Sequence, residues 1–146
     1  MRKLVPTIIL SAVLIAFVIK EYKETLTSET SQLAPTTYRG LLPAADCAGI
    51  DYILTLNDSI AGADTLFALR MVYIEGDNNG GDITFDSRGR QQLFELDTKR
   101  GYRLMPDDGD VATYLVIEND STLRMADSTL NCIDSPFNYK LVRINE

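Results

Sequence analysis

Few side chains in this sequence could carry chemistry: two cysteines, Cys47 and Cys132, and carboxylates gathered in short glycine-rich turns. Histidine is absent from all 146 residues, which excludes Ser-His-Asp and Cys-His catalysis, imidazole zinc sites and a histidine pH switch. Cys47 follows Asp46 in a loop opened by Pro43, where a thiolate could bind a metal ion or be oxidised. No base lies nearby in sequence to lower its pKa, which favours a small buried hydrophobe at the end of the fold. Cys132 stands 85 positions further on; in an oxidising compartment the two thiols could pair, a geometry that spacing alone does not settle. Asp46 precedes a glycine-containing turn, so it is expected to brace the loop by accepting backbone N–H bonds rather than to act as a base.

The acidic turns Asp77 to Asp82 and Asp107 to Asp110 lack the alternating D-x-D-x-D-G pattern with a distal Glu, and read as solvated turns rather than calcium loops. No G-x-S-x-G elbow, S-x-x-K pair or phosphate loop is present. Enzymatic activity therefore has no residue to rest on, and no cofactor is implied. Lys and Arg number 14 against 21 Asp and Glu, a net charge of −7. Three of those bases, Arg2, Lys3 and Lys20, precede the first acid, Glu21, so residues 21–146 hold 11 bases and 21 acids, a net of −10. A surface that acidic repels phosphate backbones and anionic headgroups, which argues against nucleic-acid binding.

The elements that must position these groups begin with the compartment. After Arg2 and Lys3, the stretch Leu4 to Ile19 has no charge for 16 residues and stops at Lys20 and Glu21. As a helix it would span roughly 24 Å, a little short of the ~30 Å hydrocarbon core. The sequence after Ile19 offers charge instead of the small residues that a signal cleavage site needs, so residues 1–19 read as an uncleaved membrane anchor rather than a signal segment. With the basic pair held inside, the rest of the chain faces the exported side, anchored in the inner membrane and facing the periplasm, or free there if the segment is cleaved. Residues 20–36 are rich in Ser, Thr, Glu and Lys and read as a flexible tether to a folded domain over 37–146.

That domain reads as all-β. Ile50, Tyr52, Leu54 and Leu56 alternate on one face, and Phe67, Leu69, Met71 and Tyr73 repeat the pattern within residues 65–74. Further strands are expected over 82–85, 91–96, 102–105, 111–118, 122–126 and 137–144. Turn formers separate them at Asn57-Asp58, Gly76 to Gly81, Ser87-Arg88-Gly89, Lys99-Arg100-Gly101, Pro106 to Gly109 and Asn119-Asp120. About eight strands joined by short turns imply an antiparallel meander, which escapes exposed edges by curling into a small barrel. The interior is either filled by side chains, with Tyr52, Phe67, Tyr73, Phe85, Phe94, Tyr114 and Tyr139 as core, or holds a ligand cavity.

The segment Tyr38-Arg39-Gly40-Leu41-Leu42-Pro43-Ala44-Ala45-Asp46-Cys47-Ala48-Gly49-Ile50 resembles the opening signature Y-x-G-x-L-P-C-A-D-C-x-G-I of the NlpE N-terminal domain. Leu123 to Asp127 and Ile133 to Leu141 are similar to the family's closing motifs L-x-L-x-D and I-x-S-x-x-N-Y-x-L, so the resemblance brackets residues 38–141. It implies a barrel distantly similar to bacterial lipocalins, and a place among envelope lipoproteins linked to copper resistance and surface-stress signalling. Pro43, Asp46, Cys47 and Gly49 form the signature loop. The chain departs from the family at Ala44, where the first signature cysteine would stand, and it has no lipidation cysteine. One thiolate without histidine cannot supply a tight Cu(I) site alone, so Cys47 is only a weak metal candidate.

Two functions follow. One is a non-enzymatic envelope protein of NlpE type, in stress response or contact with an unidentified envelope protein. The other is a lipocalin-like carrier of a small apolar ligand or metal ion. A continuous apolar cavity would favour the carrier, and a filled barrel with an exposed patch around Leu41 and Leu42 the contact module.

Overall fold

The computed structural model describes residues 34–57 and 65–144. The membrane helix expected over 4–19 and most of the expected tether lie outside them. Eight strands, β1 (Thr36–Leu42), β2 (Gly49–Asn57), β3 (Leu66–Ile74), β4 (Ile83–Leu96), β5 (Lys99–Pro106), β6 (Thr113–Asn119), β7 (Thr122–Ala126) and β8 (Lys140–Ile144), follow one another around a closed barrel. Every neighbouring pair is antiparallel, and β8 closes on β1 through Thr37↔Ile144 to Arg39↔Val142. Closure leaves no strand edge open to pairing with another chain.

Period-two alternation sends Tyr38 and Leu42, then Tyr52, Leu54 and Leu56, then Phe67 and Leu69 inward, where they meet Leu104, Leu115, Leu123 and Leu141. Leu54, Leu56, Leu104, Leu115, Leu123 and Leu141 are essentially inaccessible. Leucines thus fill the barrel where aromatic residues were expected. Of the anticipated aromatic core, only Tyr52 and Phe67 are buried. Phe94 and Tyr114 instead meet edge to face, ring centres 6.2 Å apart, at positions whose parity places them on the outer wall. Outward positions also carry ion pairs, among them Arg39 with Asp51 at 2.7 Å and Arg70 with Asp86 at 2.8 Å.

Several strands differ from the expected pattern. Thr36–Leu42 is a full strand paired along β2, although its inward Gly40 interrupts the apolar alternation. The break expected at Ser87-Arg88-Gly89 is not a turn, because β4 runs unbroken for 14 residues. Its first half pairs with β3 up to Leu66↔Arg90 and its second half with β5 from Gly89↔Pro106. Gly89 sits at the handover, where a Cβ would collide with the Met105 carbonyl oxygen and the Phe67 ring. Only a residue without a side chain permits so close an approach of neighbouring strands. The turn expected at Lys99-Arg100-Gly101 is likewise strand; the chain reverses one step earlier, at Asp97 with φ 54°.

The β1–β2, β3–β4, β5–β6 and β7–β8 loops leave the barrel at one end, called the mouth, and the chain enters β1 at the other. Because β5 stops at Pro106, the residues of β4 before Gly89 extend past it towards the mouth.

Candidate functional site

Pro43 ends β1, and residues 43–48 form the loop into β2. Gly49 follows with φ 155°, a conformation that disfavours any residue with a Cβ. Two bonds hold the loop: the Cys47 thiol donates to the Gly49 carbonyl oxygen at 3.3 Å, and the Ala48 N–H donates to the Ile74 carbonyl at 3.2 Å. Asp46, expected to brace this loop, lies exposed on its surface. Cys47 is half-buried, as is Cys132, which bridges to Ala126 in the β7–β8 loop; both are free thiols.

The loop forms one wall of a cleft of about 330 Å³, with Pro43, Ala44, Ala45, Asp46 and Cys47 on one side and Ile50, Tyr73, Gly76, Ile83 and Phe85 on the other. The structure therefore brings Pro43, Asp46 and Cys47 into one wall, and Gly49 sets the turn that returns the chain to the barrel. Phe85 is 52% exposed and meets the Tyr73 ring edge to face at 5.4 Å. Ile83 and Phe85 line this wall as the leading end of β4, paired with β3 through Tyr73↔Ile83 and Met71↔Phe85.

Further apolar surface lies at the same end. Leu41 is 54% exposed and Phe137 64% exposed, whereas Leu42, which the sequence grouped with Leu41, points inward and is 6% exposed. Alternation along β1 separates the two. Asn138, inside the closing motif, donates from Nδ2 to the Leu41 and Lys140 carbonyls at 3.0 and 3.3 Å, tying the β7–β8 loop to the end of β1. It also holds Phe137, expected within the last strand, outside it.

Electrostatics divide the surface sharply. Three of the four mouth loops, residues 43–48, 75–82 and 107–112, contain Asp46, Glu75, Asp77, Asp82, Asp107, Asp108 and Asp110 and no Lys or Arg. Asp77 and Asp82 shape their own loop: Asp77 Oδ1 accepts the Asn79 and Gly81 N–H groups, and Asp82 Oδ1 accepts that of Glu75. Among the described residues the bases all lie in strands, where several are already paired; Glu118 takes Lys140 at 2.8 Å and Arg124 at 3.5 Å. Its carboxyl is held below its ordinary pKa, chiefly by the Lys140 hydrogen bond. Within the barrel, burial pushes the Tyr52 phenol up to about 12, against the opposing effect of a hydrogen bond with Thr113.

Among the described residues no group of three or more Cys, Asp or Glu side chains is arranged to hold a metal ion. What the mouth offers is an apolar recess inside an acidic rim. No curated protein and no solved structure matches the chain. The profile of the NlpE N-terminal domain matches residues 38–136, from Tyr38 in β1 through the signature loop to the closing motif. The chain belongs to the NlpE N-terminal domain family, and is accordingly an envelope-associated protein of NlpE type.

Proposed function

We propose that the chain is a non-enzymatic, membrane-anchored member of the NlpE type that acts in the envelope stress response by docking a protein at the mouth of its barrel. The observation that carries this reading is the exposed apolar surface of Leu41, Phe85 and Phe137 at the end bearing the signature loop. Of the three, Phe85 lines the cleft itself, and exposed apolar surface at a recess marks an interaction site more often than single scattered residues do. A leucine-filled interior supports contact at the surface in preference to carriage inside the barrel. The lipocalin likeness describes architecture and does not by itself supply a cargo.

The test is photo-crosslinking of the full chain in its native envelope, with a photoreactive phenylalanine analogue replacing Phe85 or Leu41. The expected result is a discrete protein adduct from these positions and none when the analogue replaces Asp120 in the β6–β7 turn at the opposite end. Equal labelling at all three positions, or none at the mouth, would overturn the reading.

A further inference from the structure

We propose that the mouth cleft receives a segment of a partner protein presenting one aromatic or branched aliphatic side chain flanked by lysine or arginine. This rests on the reading of the mouth as a contact surface, and adds the chemistry of what is contacted. At about 330 Å³ the cleft lies at the lower end of the ~300–1,000 Å³ typical of ligand pockets, room enough for a large side chain. Its floor and far wall are apolar, formed by Ile50, Ile83, Tyr73 and Phe85, and the edge-to-face pair leaves Phe85 open to stack against an incoming ring.

Charge selects the flanks. Asp46 stands on the cleft wall itself; Glu75 and Asp77 flank the lining residue Gly76, and Asp82 precedes Ile83. The Asp107 N–H donates to the Arg88 carbonyl at 2.9 Å, which seats the third acidic loop beside β4. With no base in any of the three loops, an apolar side chain approaching between cationic neighbours gains attraction on both sides of the recess. The same field disfavours the competing occupants. A second copy would bring an identical acidic mouth, and an anionic lipid surface would be repelled.

The experiment is selection of a displayed library of random nonapeptides on the full chain in detergent micelles, followed by titration of individual peptides. Enriched sequences are expected to place Phe, Tyr, Trp, Leu or Ile within two positions of Lys or Arg. Their affinity should fall about tenfold or more with Phe85→Ser, in keeping with loss of a buried aromatic contact at an interface centre. Asp46→Lys, on an exposed loop position, should weaken them as well, and both variants should keep the wild-type far-UV circular dichroism. High salt should weaken binding further. The proposal falls if no peptide is enriched, if enriched peptides lack bases, or if their binding ignores Phe85→Ser. It also falls if the chain self-associates through a contact that Phe85→Ser abolishes. A mouth-specific protein crosslink together with peptide failure would remove the chemistry proposed here and leave the contact reading standing; loss of the crosslink would remove both.

Discussion

The phenol of Tyr52 is buried among leucines, and burial opposes the charged form, so its pKa rises to about 12. An unfolded chain titrates this group near 10, so between pH 10 and 12 the unfolded state gives up a proton that the folded state keeps. Stability is therefore complete below pH 10 and falls as pH rises through the window, by roughly 2 to 3 kcal/mol at ~1.36 kcal/mol per pH unit. Urea midpoints at pH 9 and 11.5 should show a smaller alkaline loss in Tyr52→Phe than in the wild type. Cys47 makes a more modest contribution. Its single bond, to the Gly49 carbonyl, can be kept by a hydroxyl, so Cys47→Ser is expected to change stability by less than about 1 kcal/mol. Met71 and Met125, the soft ligands that a Cu(I) site would need beside Cys47, pack against the leucine core instead. Titration with Cu(I) under reducing conditions should find no one-to-one submicromolar complex that Cys47→Ser removes; such a complex would return the thiol to a metal role.

At the scale of elements, β4 decides the shape of the barrel and of the cleft. It serves β3 along its first half and β5 along its second, and the handover requires Gly89. Gly89→Ala places a methyl group against the Met105 carbonyl and 2.9 Å from the Phe67 ring, and the backbone oxygen cannot rotate away. A cost of about 1–3 kcal/mol is expected from such overpacking, read as a lower urea midpoint at unchanged slope. The same glycine shows where sequence reading loses the site. Ser87-Arg88-Gly89 has turn composition, but glycine also marks close strand approach, and local composition does not separate the two. Reading a turn there split β4 into the expected strands over 82–85 and 91–96. Thr36–Leu42 escaped the period-two search because Gly40 leaves a gap between Tyr38 and Leu42. Long strands with side chains at every inward position, Ile50 to Leu56 and Phe67 to Tyr73, were legible throughout, as was the signature loop, whose residues are contiguous. The cleft's far wall was not, because it depends on a register between distant segments that only the closed sheet fixes.

For the whole molecule the question is what holds an acidic barrel at an envelope. Its strands carry exposed charges outward, including the Arg39–Asp51 and Arg70–Asp86 pairs, and three loops at one end carry acids alone. Among the described residues the outward strand positions carry these charged pairs, and the net negative charge repels anionic headgroups. We propose that attachment comes from the apolar run Leu4 to Ile19, which a polar stretch separates from β1 in the sequence. A segment of 16 uncharged residues is near the lower limit for spanning, and on this proposal the basic flanks Arg2, Lys3 and Lys20 would extend it by reaching to the headgroup level. The full chain should accordingly sediment with membranes and resist extraction by high salt and alkaline carbonate, yet dissolve in detergent. A chain lacking residues 2–20 should remain in the soluble fraction with the circular dichroism of an antiparallel barrel. If that shortened chain still sediments and is released by salt, attachment is electrostatic or through a partner, and the apolar run is not the anchor.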